Sequence, residues 1–242
     1  MRWLINLTEA TVLLVDDEPD LLEIFKMWLE RAGCSKVCTA KDGEGALTVL
    51  KDYPIDLLVT DVRMPLMDGI TLVRCLAGLG KPIPSIVFVS GFGDIDQREM
   101  YALGVEAFLT KPLPPEQLIE VAERALAARS TLWLRPMSSA PRQSMHIWGD
   151  EISATTGQHS ICLGRGGFSA HYSGPMALGK VAFSCHFSSE KREMAGEGYV
   201  RWRSRSDDKV GIEFAFLDAS CRSWLLEEIA ATSPQSFIPS LL

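Results

Sequence analysis

The sequence lacks any apolar run close to the roughly 20 residues that a membrane-spanning helix requires. It also lacks a C-x-x-C pair, since its six cysteines stand alone at positions 34, 38, 75, 162, 185 and 221. That spacing favours separate reduced thiols over a zinc site or a disulfide framework. Histidine is scarce, and the spacing of His146, His159, His171 and His186 matches no metal-ligand pattern. The opening MRWLINLTEA is interrupted by Asn6, Thr8 and Glu9, so no secretory signal is expected there. A cytoplasmic protein with no membrane insertion is the resulting expectation.

Cations are in deficit, but only in one half. Residues 1–129 hold 13 Lys+Arg against 20 Asp+Glu, a balance of −7, whereas residues 130–242 hold 11 of each. All the net charge therefore lies in the first half, which predicts two units of different kind. It also argues against DNA as a partner of that half, because nothing there would neutralise phosphates.

What is present is a globular composition, 47% hydrophobic and 23% charged over 242 residues, enough for two cores. The first half alternates short β-like runs with amphipathic segments. TVLLV (11–15), KVCTA (36–40), IDLLVT (55–60), SIVFVS (85–90) and VEAFLT (105–110) are predicted strands. Several are apolar throughout, as strands covered on both faces are. Between them Leu21, Leu22, Phe25, Trp28, Leu29 and Ala32 form a helical stripe that Gly33 stops. A second stripe runs through Ala46, Leu47, Val49 and Leu50, further ones cover 70–79 and 95–103, and the last begins near Leu118. Five strand–helix units predict a doubly wound parallel five-stranded sheet with right-handed crossovers.

In such sheets ligands sit beyond the carboxyl ends of the strands. Asp16 and Asp17 follow the first strand, Asp61 the third, Ser90 ends the fourth and Lys111 follows the fifth. Three carboxylates, a hydroxyl and an ammonium thus share one sheet edge. Adjacent carboxylates repel by roughly 1 kcal/mol in water and about 4 kcal/mol at a partly buried site, so a hard cation is expected among them. Mg²⁺ suits such a set better than Ca²⁺, because it uses one or two carboxylates and keeps other oxygens.

These residues, together with TDVRMPLMDG around Asp61, Ser90-Gly91 and Phe108 before Lys111-Pro112, resemble a two-component response-regulator receiver domain of flavodoxin-like fold. The resemblance covers 10–129. It implies that Asp61 is the phosphoacceptor and that Mg²⁺ is held by Asp16, Asp17, Asp61 and the backbone carbonyl of Arg63. It further implies that Lys111 and Ser90 meet phosphoryl oxygens and that the rotamer of Phe108 follows phosphorylation. The donor would be a sensor histidine kinase or a phosphotransfer protein. A haloacid-dehalogenase-like phosphatase is disfavoured because Arg63 stands where that chemistry needs a second Asp. A flavin carrier is disfavoured because DDEPD would repel a phosphate.

Residues 130–142 are read as an extension of the fifth helix through Leu132 and Leu134, then a linker at Ser138–Pro141, with a homodimer through that helix as one expectation. From 143 the periodicity becomes two: Val200 and Trp202 share a face opposite Arg201 and Arg203, and Ile212, Phe214 and Phe216 share another. This predicts a small antiparallel β-barrel over 143–242 closed by a helix around Trp224–Ile229. LGRGGFSAHY, MALGKVAFSCHF, GEGYVRWRS and VGIEFAFLD resemble a PilZ domain, a family known for binding cyclic di-GMP. By spacing, Arg142 matches the second Arg of its ligand motif and Gly167 the final Gly. Ser138, Cys162 and Gly164 stand where the family has Arg, Asp or Asn, and Ser. An Arg fork on guanine is worth about 1–3 kcal/mol, so these departures weaken nucleotide recognition. The expectation is a non-enzymatic phosphorelay regulator whose PilZ-like half contacts an unknown downstream protein. The alternative is a cyclic di-GMP sensor.

Overall fold

The computed structural model describes residues 6–76, 83–91, 96–127, 129–134, 136–149, 151–153, 160–189, 191–204, 206, 208–232, 234 and 236–239. Two compact units are present. One comprises Arg2–Ile95 with Val105–Ala128, and the other Asp96–Gly104 with Arg129–Leu242.

The α/β unit is built from β1 (Thr11–Val15), α1 (Pro19–Arg31), β2 (Lys36–Ala40), α2 (Gly43–Asp52), β3 (Leu57–Asp61), α3 (Gly69–Leu76) and β4 (Ser85–Ser90). The chain then passes through α4 (Gln97–Ala102), which clusters with the other unit, and returns as β5 (Val105–Thr110) and α5 (Pro115–Leu126). The sheet order is β2-β1-β3-β4-β5 and every pairing is parallel. Parallel pairing requires crossovers, and the helices supply them while covering the sheet. That is why β3 is buried along its whole length and β1 and β4 over most of theirs. Leu29, Leu57 and Leu118 are fully buried, joining α1, β3 and α5 to one core.

Local chemistry sets several boundaries. Pro19 and Pro115 open α1 and α5 at positions where a missing N–H is harmless. The Asp42 carboxylate caps α2 through Gly45 N–H, and the Asp68 carboxylate accepts from Thr71 N–H at the start of α3. Gly33 follows α1 at φ 101°, a conformation that excludes most side chains.

The β unit continues with α6 (Arg129–Leu132), β6 (Ser144–Gly149), β7 (Glu151–Ser153), β8 (Ser160–Leu163), β9 (Gly167–His171), β10 (Gly179–Phe187), β11 (Arg192–Ser204), β12 (Lys209–Leu217) and α7 (Ala219–Thr232). Its sheet order is β6-β10-β11-β12-β9-β8-β7. Aromatic rings fill the core: Trp133 lies edge-on to Phe214, and Phe168, Phe183 and Phe214 pack mutually with centroids 5.2–5.8 Å apart.

Three expectations are corrected. The second sheet is mixed, not purely antiparallel, because β6 pairs parallel with β10 and β7 parallel with β8. The fifth helix does not extend to Leu134. It ends at Leu126, where Ala127 is extended at ψ 145°, and Trp133 is buried in the core of the β unit instead of prolonging a helical stripe. Phe216 does not share the fully buried face of Ile212 and Phe214. The β11–β12 register shifts between Glu197 and Gly198, so Phe216 is half-buried and Leu217 takes the interior position. Among the described residues no helix is long and apolar enough to cross a membrane.

Candidate phosphoacceptor and metal site

The carboxyl ends of β1, β3 and β5 bring together residues far apart in the chain. Asp16 comes directly after β1 and is 2% exposed, Asp61 is the last residue of β3 and 8% exposed, and Asp17 faces solvent. Lys111, one residue past β5, donates from Nζ to Asp16 Oδ2 at 2.8 Å and to Asp61 Oδ2 at 2.9 Å. Glu18 Oε1 lies 3.5 Å from the same ammonium. The ammonium thus binds two carboxylates at once and reaches a third.

The backbone holds each carboxylate in place. Val62 N–H donates to Asp61 Oδ1 at 2.6 Å and Arg63 N–H to the same oxygen at 3.3 Å. Glu18 N–H donates to Asp16 Oδ1 at 2.9 Å. With one oxygen of each group held by amides and the other by Lys111, neither carboxylate is free to rotate. Ser90 is half-buried at the end of β4, and its carbonyl accepts from Lys111 N–H at 2.8 Å. Phe108 on β5 is half-buried, edge-on to Phe88 with centroids 6.2 Å apart. The Lys111–Pro112 peptide is cis.

The charges perturb one another. Burial pushes the Asp16 carboxyl above its ordinary range, and the neighbouring Asp61 charge adds to this. The hydrogen bond and charge of Lys111 and the Glu18 amide oppose it only in part. For Lys111 burial acts to lower the pKa, but its hydrogen bonds to Asp16 and Asp61 and their charges together raise it. The ammonium is therefore held in its charged form by two carboxylates that lack sufficient positive charge between them.

One oxygen from each of Asp16, Asp17 and Asp61 lies within 4.8 Å of the others. An all-oxygen donor set with a surplus of negative charge fits a small hard cation, and a Mg²⁺ ion here would supply charge where Lys111 alone is insufficient.

Two supporting residues carried only weak signals in the sequence. Gly69 reads there as part of an Asp-Gly turn. In the fold, a Cβ at that position would lie 2.1 Å from the Asp61 carbonyl, so the start of α3 packs directly on the Asp61 backbone. The Thr60 hydroxyl donates to the same carbonyl at 2.9 Å.

The residues matched to a nucleotide site lie on separate elements. Arg142 is exposed just before β6, while Gly167 opens β9, with three strands between them in the sheet order. Gly167 has a packing role of its own, since a Cβ there would fall 2.0 Å from the Ile212 carbonyl. Arg165 donates to the Gly104 carbonyl at 2.7 Å. Arg201 pairs with Glu213 and lies over the Tyr199 ring, and Arg203 donates to the Met176 carbonyl. Arg135 and Arg205 lie outside the described residues.

Comparison with known proteins gives a consistent picture for the first half. The family described as the response regulator receiver domain matches residues 12–123. Response regulator GtcR of Aneurinibacillus migulanus is 31% identical over 135 residues, covering 50% of this chain and 55% of that protein. The C4-dicarboxylate transport transcriptional regulatory protein DctD of Pseudomonas aeruginosa is 30% identical over 195 residues, 76% of this chain and 42% of that one. Transcriptional regulatory protein FixJ of Rhizobium meliloti is 37% identical over 120 residues, 49% and 58% of the two chains. The chain thus spans about half the length of these curated relatives. Among solved structures, the chemotaxis response regulator CheY4 of Vibrio cholerae is 29% identical, with a TM-score of 0.43 over 48% of this chain and 98% of that one.

Proposed function

Because this chain belongs to the response regulator receiver family through residues 12–123, we propose that Asp61 accepts a phosphoryl group from a sensor histidine kinase or phosphotransfer protein. The observation that carries this reading is the Lys111 ammonium bridging Asp16 and Asp61. A carboxylate attacks an anionic phosphoryl donor only where positive charge awaits the oxygens. The Asp61 carboxylate forms the new P–O bond while the bond from phosphorus to the donor breaks, its electron pair leaving on the donor atom. Lys111, already 2.9 Å from the reacting carboxylate, transfers its hydrogen bond to a phosphoryl oxygen. Ser90, on the neighbouring strand end, donates its hydroxyl to another. Asp16, Asp17, Asp61 and the carbonyl of Arg63 would hold Mg²⁺, whose charge offsets that of the incoming phosphate. Asp61→Asn removes the nucleophile. Incubation with Mg²⁺ and acetyl phosphate, followed by intact mass, should add one phosphoryl group to the wild type and none to the variant. Equal labelling of both would reject the assignment.

For the second unit the reading is a PilZ-like output module that signals by protein contact. Support comes from the glycine turn Gly164–Gly167 between β8 and β9, the long β10–β12 meander and the closing helix α7. Cyclic di-GMP is the second reading, and the geometry weighs against it. A Cβ at Gly166 would meet the Phe237 ring at 1.9 Å, so the turn is already packed by the chain's own aromatic side chain. Relatives such as DctD and FixJ are transcriptional regulatory proteins. In this chain Arg201 and Arg203 are half-buried and already paired, with Glu213 and the Met176 carbonyl, which leaves them less available for DNA phosphates. Calorimetry with cyclic di-GMP on wild type and Arg142→Ala separates the two readings, because only nucleotide binding produces heat that the variant loses.

A further inference from the structure

The compact β unit includes a segment that the chain order places between β4 and β5. Asp96–Gly104, carrying α4, clusters with Arg129–Leu242, and the contacts within that unit show what holds it. Tyr101 is 4% exposed and stacks on Phe237, with ring centroids 6.1 Å apart at 28°. The Tyr101 carbonyl accepts from Phe237 N–H at 2.9 Å and from Ile238 N–H at 3.3 Å. It lies in the last turn of α4 and also accepts from Gly104 N–H at 3.1 Å, so the tail adds two donors to a carbonyl that already caps the helix end. Arg165 Nη2 donates to the Gly104 carbonyl at 2.7 Å, and the Arg98 guanidinium lies over Trp202 at 5.2 Å.

The same tail grips the glycine turn from its other side. Arg165 N–H donates to Ser236 O at 2.8 Å and Gly166 N–H to Phe237 O at 3.0 Å. Cβ atoms at Gly164 and Gly166 would fall 2.4 Å from the Phe237 carbonyl and 1.9 Å from its ring. Both glycines therefore leave room for the tail. Phe237 and Ile238 are buried although they lie beyond the last helix, near the end of the described residues. Helix, tail and turn form a three-part clasp with Phe237 at its centre.

We propose that Ser236–Pro239 is a latch holding α4 on the Gly164–Gly167 turn, and that phosphorylation of Asp61 acts against it. The second part rests on the phosphoacceptor reading above. The physical link is chain continuity: α4 lies between Ser90, which ends β4, and Phe108 on β5, the residues whose environment the phosphoryl group alters. A helix of six residues makes few contacts of its own and depends on whatever it is docked against. Coupling of this kind is reciprocal, so loosening the latch favours the phosphorylated form as much as phosphorylation loosens the latch.

The test uses the full chain and hydrogen exchange at the Arg165, Gly166, Phe237 and Ile238 amides, with phosphorylation followed separately by intact mass. Phe237→Ala and Gly166→Ala disturb the clasp from opposite sides. Both should speed exchange at the amides that remain by roughly tenfold or more without any donor. Wild type with Mg²⁺ and acetyl phosphate should show the same direction of change, and both variants should reach a higher phosphorylated fraction. If wild type gains a phosphoryl group and the four amides do not change, the regulated latch is overturned while the phosphoacceptor reading stands. Failure of any phosphoryl group to appear on Asp61 overturns that reading and the regulatory half of the proposal with it. Unchanged exchange in both variants overturns the latch itself.

Discussion

Replacing Lys111 with methionine keeps the length of the side chain and removes its charge. At an effective dielectric of about 20, each contact of the ammonium with Asp16 and Asp61, at 2.8 and 2.9 Å, is worth about 6 kcal/mol gross. Most of that is offset by the several kcal/mol needed to desolvate the ammonium. The mutual repulsion of the two buried carboxylates, at least about 3.5 kcal/mol at the 4.8 Å outer bound on their oxygen separation, is present in both proteins and goes unopposed in the variant. The expected loss for the α/β unit is about 3 kcal/mol in EDTA at neutral pH, the cost of removing one partner from a buried ion pair. Hydrogen exchange of the β1 and β3 amides measures this unit alone, which a whole-chain melt of two units does not.

The loss should depend on conditions in two ways. Mg²⁺ at about 100 times its Kd returns about 2.7 kcal/mol by mass action. Acid should also reduce it. The Asp16 pKa is raised above 3.8, so the folded state favours protonated Asp16 and its ionisation opposes folding as pH rises. The Lys111 contribution in wild type is complete below 10.5 and is lost as pH rises through its still higher folded value. The difference between wild type and variant is thus largest at neutral pH and shrinks as Asp16 takes up its proton. A loss under about 1 kcal/mol in EDTA, or one that Mg²⁺ leaves unchanged, would refute the electrostatic account of the site.

Two other substitutions probe packing and backbone. Gly167→Ala drives a Cβ into the Ile212 carbonyl, and parting β9 from β12 should lower the stability of the β unit by about 2 kcal/mol or more, read from exchange of the β12 amides. Leu66, 82% exposed at φ 65°, carries left-handed strain in the loop that follows Asp61. Leu66→Asn should stabilise the α/β unit by about 1 kcal/mol in urea titrations followed by exchange, and a loss of stability would mean that Leu66 has a packing role.

The charged edge was legible in the sequence because each of its residues ends a strand or directly follows one. In a doubly wound sheet, strand ends of one polarity lie at one edge, so Asp16, Asp61, Ser90 and Lys111 could be grouped without knowing the strand order. The second half was less legible. Alternation assigned Val200, Trp202, Ile212 and Phe214 to the interior, yet it misassigned Phe216, since a register shift depends on the partner strand. Alternation is likewise silent on strand direction, which is why the parallel β6–β10 pairing was missed.

The sequence by itself determined the α/β class, the positions of five strands and five helices, and the identity of the residues at the charged edge. These follow from periodicity and capping, interactions that span a few residues. Tertiary structure alone decided that one ammonium would bridge two carboxylates, 95 and 50 residues away in the chain. It also decided that α4 would pack with residues beyond 129 and that Phe237 would occupy the glycine turn. Such contacts depend on which surfaces meet once the chain has closed its long loops, and no local pattern of side chains encodes that choice.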